Sequence, residues 1–158
     1  MGLRYGGGLF VLDLCENAIM VAVQVQHYRG RAQDFLEGMK FLKDDLAGFR
    51  YSCALLGIHG AISYCDALRI GLGSETVSSD DHGKAATDLR SLLSAQRVER
   101  PQGLGHLEKL LGKKSRIAYA REASDVGDIE QIVQHAERFA AWAEKLGKAL
   151  RIKGWEDD

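Results

Sequence analysis

The chain has 158 residues, of which 46% are hydrophobic and 27% charged, and its formal charge is −1 at pH 7. That length bounds it to one domain with a substantial core, since about 150 residues bury roughly 70% of the surface an unfolded chain exposes. The near-zero charge excludes a global field that would draw in nucleic acid or an acidic membrane, so any such partner must be held by a local patch.

Residues 1–28 read differently from the rest. Gly6-Gly-Gly8 precedes Leu9–Leu14, a polar Cys15-Glu-Asn17, and then Ala18–Val25. Valine-rich runs around a short polar turn predict a β-hairpin. Because an isolated hairpin is marginal in water, it must pack on the helices, pair with another chain, or be a disordered extension. A further alternative is that the natural start is Met20. The run Ala18–Val23 is too short to span a membrane, and Asp13 and Glu16 interrupt the longer window. No small-residue cleavage site follows a continuous apolar core, so a secretory signal is not expected.

From residue 29 to 154 the pattern is helical, and the single proline, Pro101, leaves long helices uninterrupted. Phe35, Met39, Leu42, Leu46 and Phe49 form the apolar stripe of a first amphipathic helix, with Gly48 loosening its junction to the second. The second helix, Tyr51 to about Leu72 and stopped at Gly73, is rich in small residues. Ala54, Leu55, Ile58, Ala61, Ile62, Cys65, Leu68 and Leu72 recur at helical steps, while Gly57, Gly60 and Ser63 admit a neighbouring backbone. Such a helix belongs in the middle of a bundle.

Ser78–Asp81 supplies a cap for a third helix carrying Ala85, Leu89, Leu92 and Leu93. Pro101 and Gly103 force a turn into a fourth, Leu104 to about Arg121, with a bend or break expected at Gly112. Ser124-Asp125 caps the fifth, whose stripe runs from Ile129 through Val133, Ala136, Phe139 or Ala140, Ala143 and Leu146 to Leu150. Trp155 and the acidic tail are expected to fray. The prediction is an all-α, four- to five-helix up-and-down bundle in one domain.

Residues 31–150, in that order of elements, resemble a HEPN domain, a small bundle family found beside minimal nucleotidyltransferases and within prokaryotic RNases. The resemblance is carried by Tyr51–Gly73, by Asp81-His-Gly-Lys-Ala-Ala-Thr-Asp-Leu89, and by Leu111-Gly-Lys-Lys-Ser-Arg-Ile-Ala-Tyr119 with the closing helix. It implies a homodimer, a nucleotide, an RNA or a partner protein as ligand, and a nucleotidyltransferase-type partner in a toxin-antitoxin-like system. Active members carry an arginine followed, after four to six residues, by a histidine. Here the arginine is best matched by Arg116, but positions 121, 122 and 123 are Arg, Glu and Ala. The missing histidine implies a non-catalytic member. The alternatives are a metal-independent RNase with a substituted site, since Tyr119 is a poor base at neutral pH, and a plain scaffold.

One other spacing fits, Arg100 to His106, but with 21 basic residues and five histidines such a match arises by accident. The only pronounced charge patch is residues 97–121, where Lys113, Lys114, Arg116 and Arg121 with Tyr119 could hold phosphates and stack a base. The competing role is a solvated helix end. His59 and Asp66, two turns apart, read as core or interface groups, or else as lining a polar pocket beside Arg116. His82 belongs to helix-start bonding, and His27 and His135 have no recognisable partner. No metal-ligand spacing, phosphate loop or cofactor motif is present. Cys15, Cys53 and Cys65 are an odd set without a CxxC pair, which points to reduced thiols and a cytoplasmic protein.

Overall fold

In the computed structural model, which describes residues 8–74, 82–99, 101–119 and 123–156, the valine-rich N-terminal stretch is helical. It forms the first half of α1 (Gly8–Leu42), a helix of 35 residues. The expected hairpin over residues 1–28 is therefore corrected: no strand occurs among the described residues, and residues 1–7 lie outside them. The physical reason is that Ala18, Val21, Val25 and Ala32 also recur at helical steps, and this face packs on the rest of the chain. No proline interrupts the run. β-propensity on its own is context-dependent and yields to that packing.

A short 3-10 turn (Lys43–Asp45) separates α1 from α2 (Leu46–Gly71). The break is built locally. The Asp45 carboxylate accepts from the Gly48 backbone N–H at 3.1 Å, and Phe49 leaves helical geometry. The first amphipathic helix thus ends at Leu42, short of the Phe49 expected from its stripe. The other helices are α3 (His82–Ala95), α4 (Leu104–Tyr119) and α5 (Val126–Ala149). The proposed cap of α3 at Ser78–Asp81 lies outside the described residues. Helix α4 passes through Gly112 without the expected break. Asp125 caps α5 as anticipated, its carboxylate accepting from the Asp128 N–H at 2.7 Å.

Helix α2 is the central element, in contact with each of the other four, and every residue from Ala61 to Ile70 is buried. Its glycines set the approach distances. A methyl group at Gly60 would meet Leu36 of α1 at 2.9 Å, and one at Gly57 would meet Met39 of α1 at 2.7 Å and Ala136 of α5 at 3.2 Å. The small-residue faces of α2 are thus used within the chain.

The C-terminus is corrected as well. After α5 the chain turns at Gly154, with φ +81°, and inserts Trp155 fully buried against Gly147. Only Glu156 of the acidic tail is described, and it is exposed.

Candidate functional site

Helices α3 and α4 leave a cavity of about 560 Å³ between them, within the range of small-molecule sites. His82, Gly83 and Thr87 of α3 form one wall, and Glu108, Lys114, Ser115 and Tyr119 of α4 are on the other. Tyr119 is 84% exposed, so its ring stands at the mouth. The helical repeat explains why Leu111, Ser115 and Tyr119 share this edge, being successive four-residue steps on α4.

The predicted cations divide between two environments. Lys113 and Arg116 turn toward α5, where both meet Asp128, at 3.6 and 3.4 Å, and Lys113 also donates to Gln131 Oε1 at 3.3 Å. Lys114 instead reaches the α3–α4 cavity and raises the positive potential at His59. Arg121 lies outside the described residues. The basic run is therefore not one surface, since a carboxylate engages two of its members.

Neither His59 nor Asp66 makes a hydrogen bond or ion pair with Arg116, whose partner is Asp128. His59 is half-buried, tilted against Phe35 of α1 at a ring distance of 5.9 Å. Burial lowers its pKa, with Lys114 and Arg31 pushing the same way, so it is a neutral imidazole. Arg31 itself donates to Ser63 Oγ at 3.1 Å and lies over the Tyr28 ring. Asp66 is buried and paired with Arg69 at 3.3 Å, while Arg69 Nη2 reaches Asp88 of α3 at 2.8 Å. Burial raises the Asp66 carboxyl to about 6, against the opposing charges of Arg69 and Arg31. This cluster ties α2 to α3 and does not open onto Arg116.

Two clusters escaped the sequence. His106 and His135 meet across α4 and α5, Nδ1 to Nδ1 at 2.9 Å, so one ring donates and the other accepts. Burial lowers both pKa values, and Arg138 and Lys109 lower them further. The only signal was helical phase: His106, Lys109 and Lys113 share one face of α4, as Gln131, His135 and Arg138 do on α5. That the faces meet is a tertiary fact.

The second cluster centres on Glu144, which accepts from Arg29 Nε at 3.1 Å, Gln33 Nε2 at 3.2 Å, Tyr64 OH at 2.7 Å and Trp155 Nε1 at 3.1 Å. Burial would raise this carboxyl, but the hydrogen bonds from Tyr64 and Arg29 and the arginine charge hold it below the usual glutamate range. Nothing in the sequence distinguished Glu144 from a solvated acid on α5.

Among the described residues no group of three or more metal-ligating side chains converges, and no helix is long and apolar enough to cross a membrane. No protein-family model, curated protein or solved structure matches the chain.

Proposed function

We infer that the chain is a non-catalytic, HEPN-like binding module that takes a nucleotide or a single-stranded RNA segment at the α3–α4 cavity. The observation that carries this is the placement of an ammonium, a hydroxyl and an exposed phenol ring, from Lys114, Ser115 and Tyr119, along one lip of a 560 Å³ cavity. A phosphate would take Lys114 and Ser115, and a base would stack on Tyr119. In this reading the module acts in the cytoplasm, with Cys15, Cys53 and Cys65 as free thiols, and a nucleotidyltransferase-type protein is its partner in a toxin-antitoxin-like pair.

Fluorescence anisotropy with a labelled single-stranded RNA, repeated across salt concentrations, tests the binding. Lys114→Ala should weaken it several-fold and reduce the salt slope by about 1, as loss of one phosphate contact does. Tyr119→Ala should weaken it by about 1–3 kcal/mol per stacked base. No binding by the wild type at low salt removes the proposal.

The His106–His135 pair favours one second reading, a metal-independent RNase. Two neutral imidazoles beside Lys109, Lys113 and Arg138 offer a general base in a cationic setting. Because both pKa values are lowered, the acid partner such cleavage needs would be populated only under acidic conditions. Cleavage that rises toward acidic pH and disappears in both His106→Ala and His135→Ala would replace the non-catalytic reading.

A further inference from the structure

Helix α4 has polar faces on opposite sides of its axis. One borders the α3–α4 cavity. The other carries His106, Lys109 and Lys113 at three- and four-residue steps, and it meets a face of α5 formed by Asp128, Gln131, His135, Arg138 and Trp142. The seam between these two faces is closed at both ends. Lys113 and Arg116 pair with Asp128 at one end, and at the other Trp142 packs over Gly103, where a side chain would have no room. Between the ends lie the imidazole pair, Nδ1 to Nδ1 at 2.9 Å, and two cations, Lys109 from α4 and Arg138 from α5.

Neither cation has an ion pair or hydrogen bond with a described residue. The nearby acids are engaged elsewhere. Glu108, the single acid of α4, pairs with Arg90 of α3, and Glu137 of α5 pairs with Lys43. Glu130 of α5 points about 100° away from the Gln131 position. A lone surface lysine needs no partner. Two cations set on either side of a half-buried imidazole pair are different, because they create a positive field that nothing in the seam balances. We propose that the α4–α5 seam binds a tetrahedral dianion of the sulfate or phosphate type, held by Lys109, Arg138 and an imidazole N–H.

The Nδ1 contact fixes how the pair responds. In the neutral pair the donor ring keeps a bare Nε2, while the acceptor ring carries N–H there. A bound dianion reverses the local field, so the bare Nε2 takes one proton from solvent and the bond between the rings survives. A second proton would set N–H against N–H and break that bond. The charges facing the pair are Lys109 and Lys113 from α4 and Arg138 from α5, and without an anion they hold both rings neutral. Two fixed cations and one acquired proton exceed the single charge of a phosphodiester, so the fit is to a free oxyanion and not to a strand.

Imidazole NMR titrations of the full chain in sodium sulfate and in sodium chloride, at equal ionic strength, test this, because sulfate stays a dianion throughout. His106 and His135, assigned with His106→Gln and His135→Gln, should both titrate about one pH unit higher in sulfate. Sulfate affinity should rise by up to about tenfold per unit as pH falls from about 7.5 to about 6. Lys109→Gln and Arg138→Gln, both at exposed positions, should each weaken sulfate binding about tenfold with no loss of melting temperature. Lys114→Gln, on the cavity side of α4, should leave it intact. A sulfate response no larger than that of chloride overturns the proposal, as does one that survives both seam variants. Loss of single-stranded RNA binding in those variants with sulfate binding unaffected also overturns it, since the seam would then hold a strand. Sulfate binding is measured without RNA, so its outcome is separate from that of the α3–α4 cavity.

Discussion

Asp66 is ionised at neutral pH against the preference of its surroundings. It is buried in α2, and although Arg69 stands 3.3 Å away, loss of hydration dominates and its pKa rises from 3.8 to about 6. The folded chain therefore holds a proton on Asp66 more tightly than the unfolded chain does. Its contribution to stability is fully present below pH 3.8 and is lost as pH rises to about 6, above which it stays constant. Two pH units correspond to about 3 kcal/mol. Asp66→Asn carries no such titration, so wild type should lose stability relative to this variant between pH 4 and 6 and run parallel to it above. Urea unfolding at pH 4, 5, 6 and 7 measures the difference, and a flat difference would show that Asp66 titrates as an exposed acid. Glu144 has the opposite sign. Its pKa is held down, so its contribution disappears only as pH falls below about 4.5, which leaves most of the Asp66 window clear.

At the scale of the helix, the glycines of α2 and α5 differ in what they hold at close range. A methyl group at Gly57 would meet the thioether sulfur of Met39, the far end of a flexible side chain, at 2.7 Å. At Gly147 it would meet the indole of Trp155 at 2.0 Å, and that ring is locked by its N–H bond to Glu144 and by the Tyr64 ring. Gly147→Ala should therefore cost about 1–3 kcal/mol by overpacking and should change tryptophan emission. Gly57→Ala should cost less, the helix-propensity gain of about 1 kcal/mol offsetting part of the strain. Equal melting temperatures for the two variants would mean that Trp155 is not wedged on Gly147. These contacts also show what the sequence could and could not reveal. The α2 stripe and the Asp125 cap of α5 were legible because they are set by local periodicity and by one hydrogen bond three residues away. The start of α1 was misread because Val21, Val23 and Val25 satisfy a two-residue alternation, while Val21 and Val25 with Ala18 and Ala32 also satisfy a helical repeat. Only the packing against the rest of the chain decides between them. In the candidate site, Lys114 was legible only as one member of a basic run in which Arg116 was expected beside Tyr119, and Asp128's hold on Lys113 and Arg116 depends on how α5 lies against it. The His106–His135 and Glu144 clusters join residues far apart in sequence and leave no local trace.

For the molecule as a whole, the short segment after α5 fastens three helices at one end of the bundle. Ile152 lies where a methyl group at Gly71 of α2 would be only 2.2 Å away, and Gly154 meets the Ala22 carbonyl of α1 at a distance that leaves no room for a side chain. Trp155 completes the closure against α5, within 5.9 Å of the Arg29 guanidinium of α1 and bonded to Glu144. Trp155→Ala would open a cavity at this junction and remove one of the four donors to the Glu144 carboxylate, so a loss of about 3–5 kcal/mol is expected. At about 2–4 °C per kcal/mol for a domain of this size, the melting temperature should fall by roughly 10 °C. How the loss appears distinguishes two kinds of molecule. If α1 is integral to the bundle, unfolding remains one transition, and its midpoint moves while the urea slope stays constant. If instead α1 is held chiefly by the Trp155 junction, helix content should fall in two steps, the first accounting for a share near that of α1. The extensive packing of α1 along α2, from Leu36 and Met39 at one end to Val25 beside Gly71 at the other, argues for the single transition.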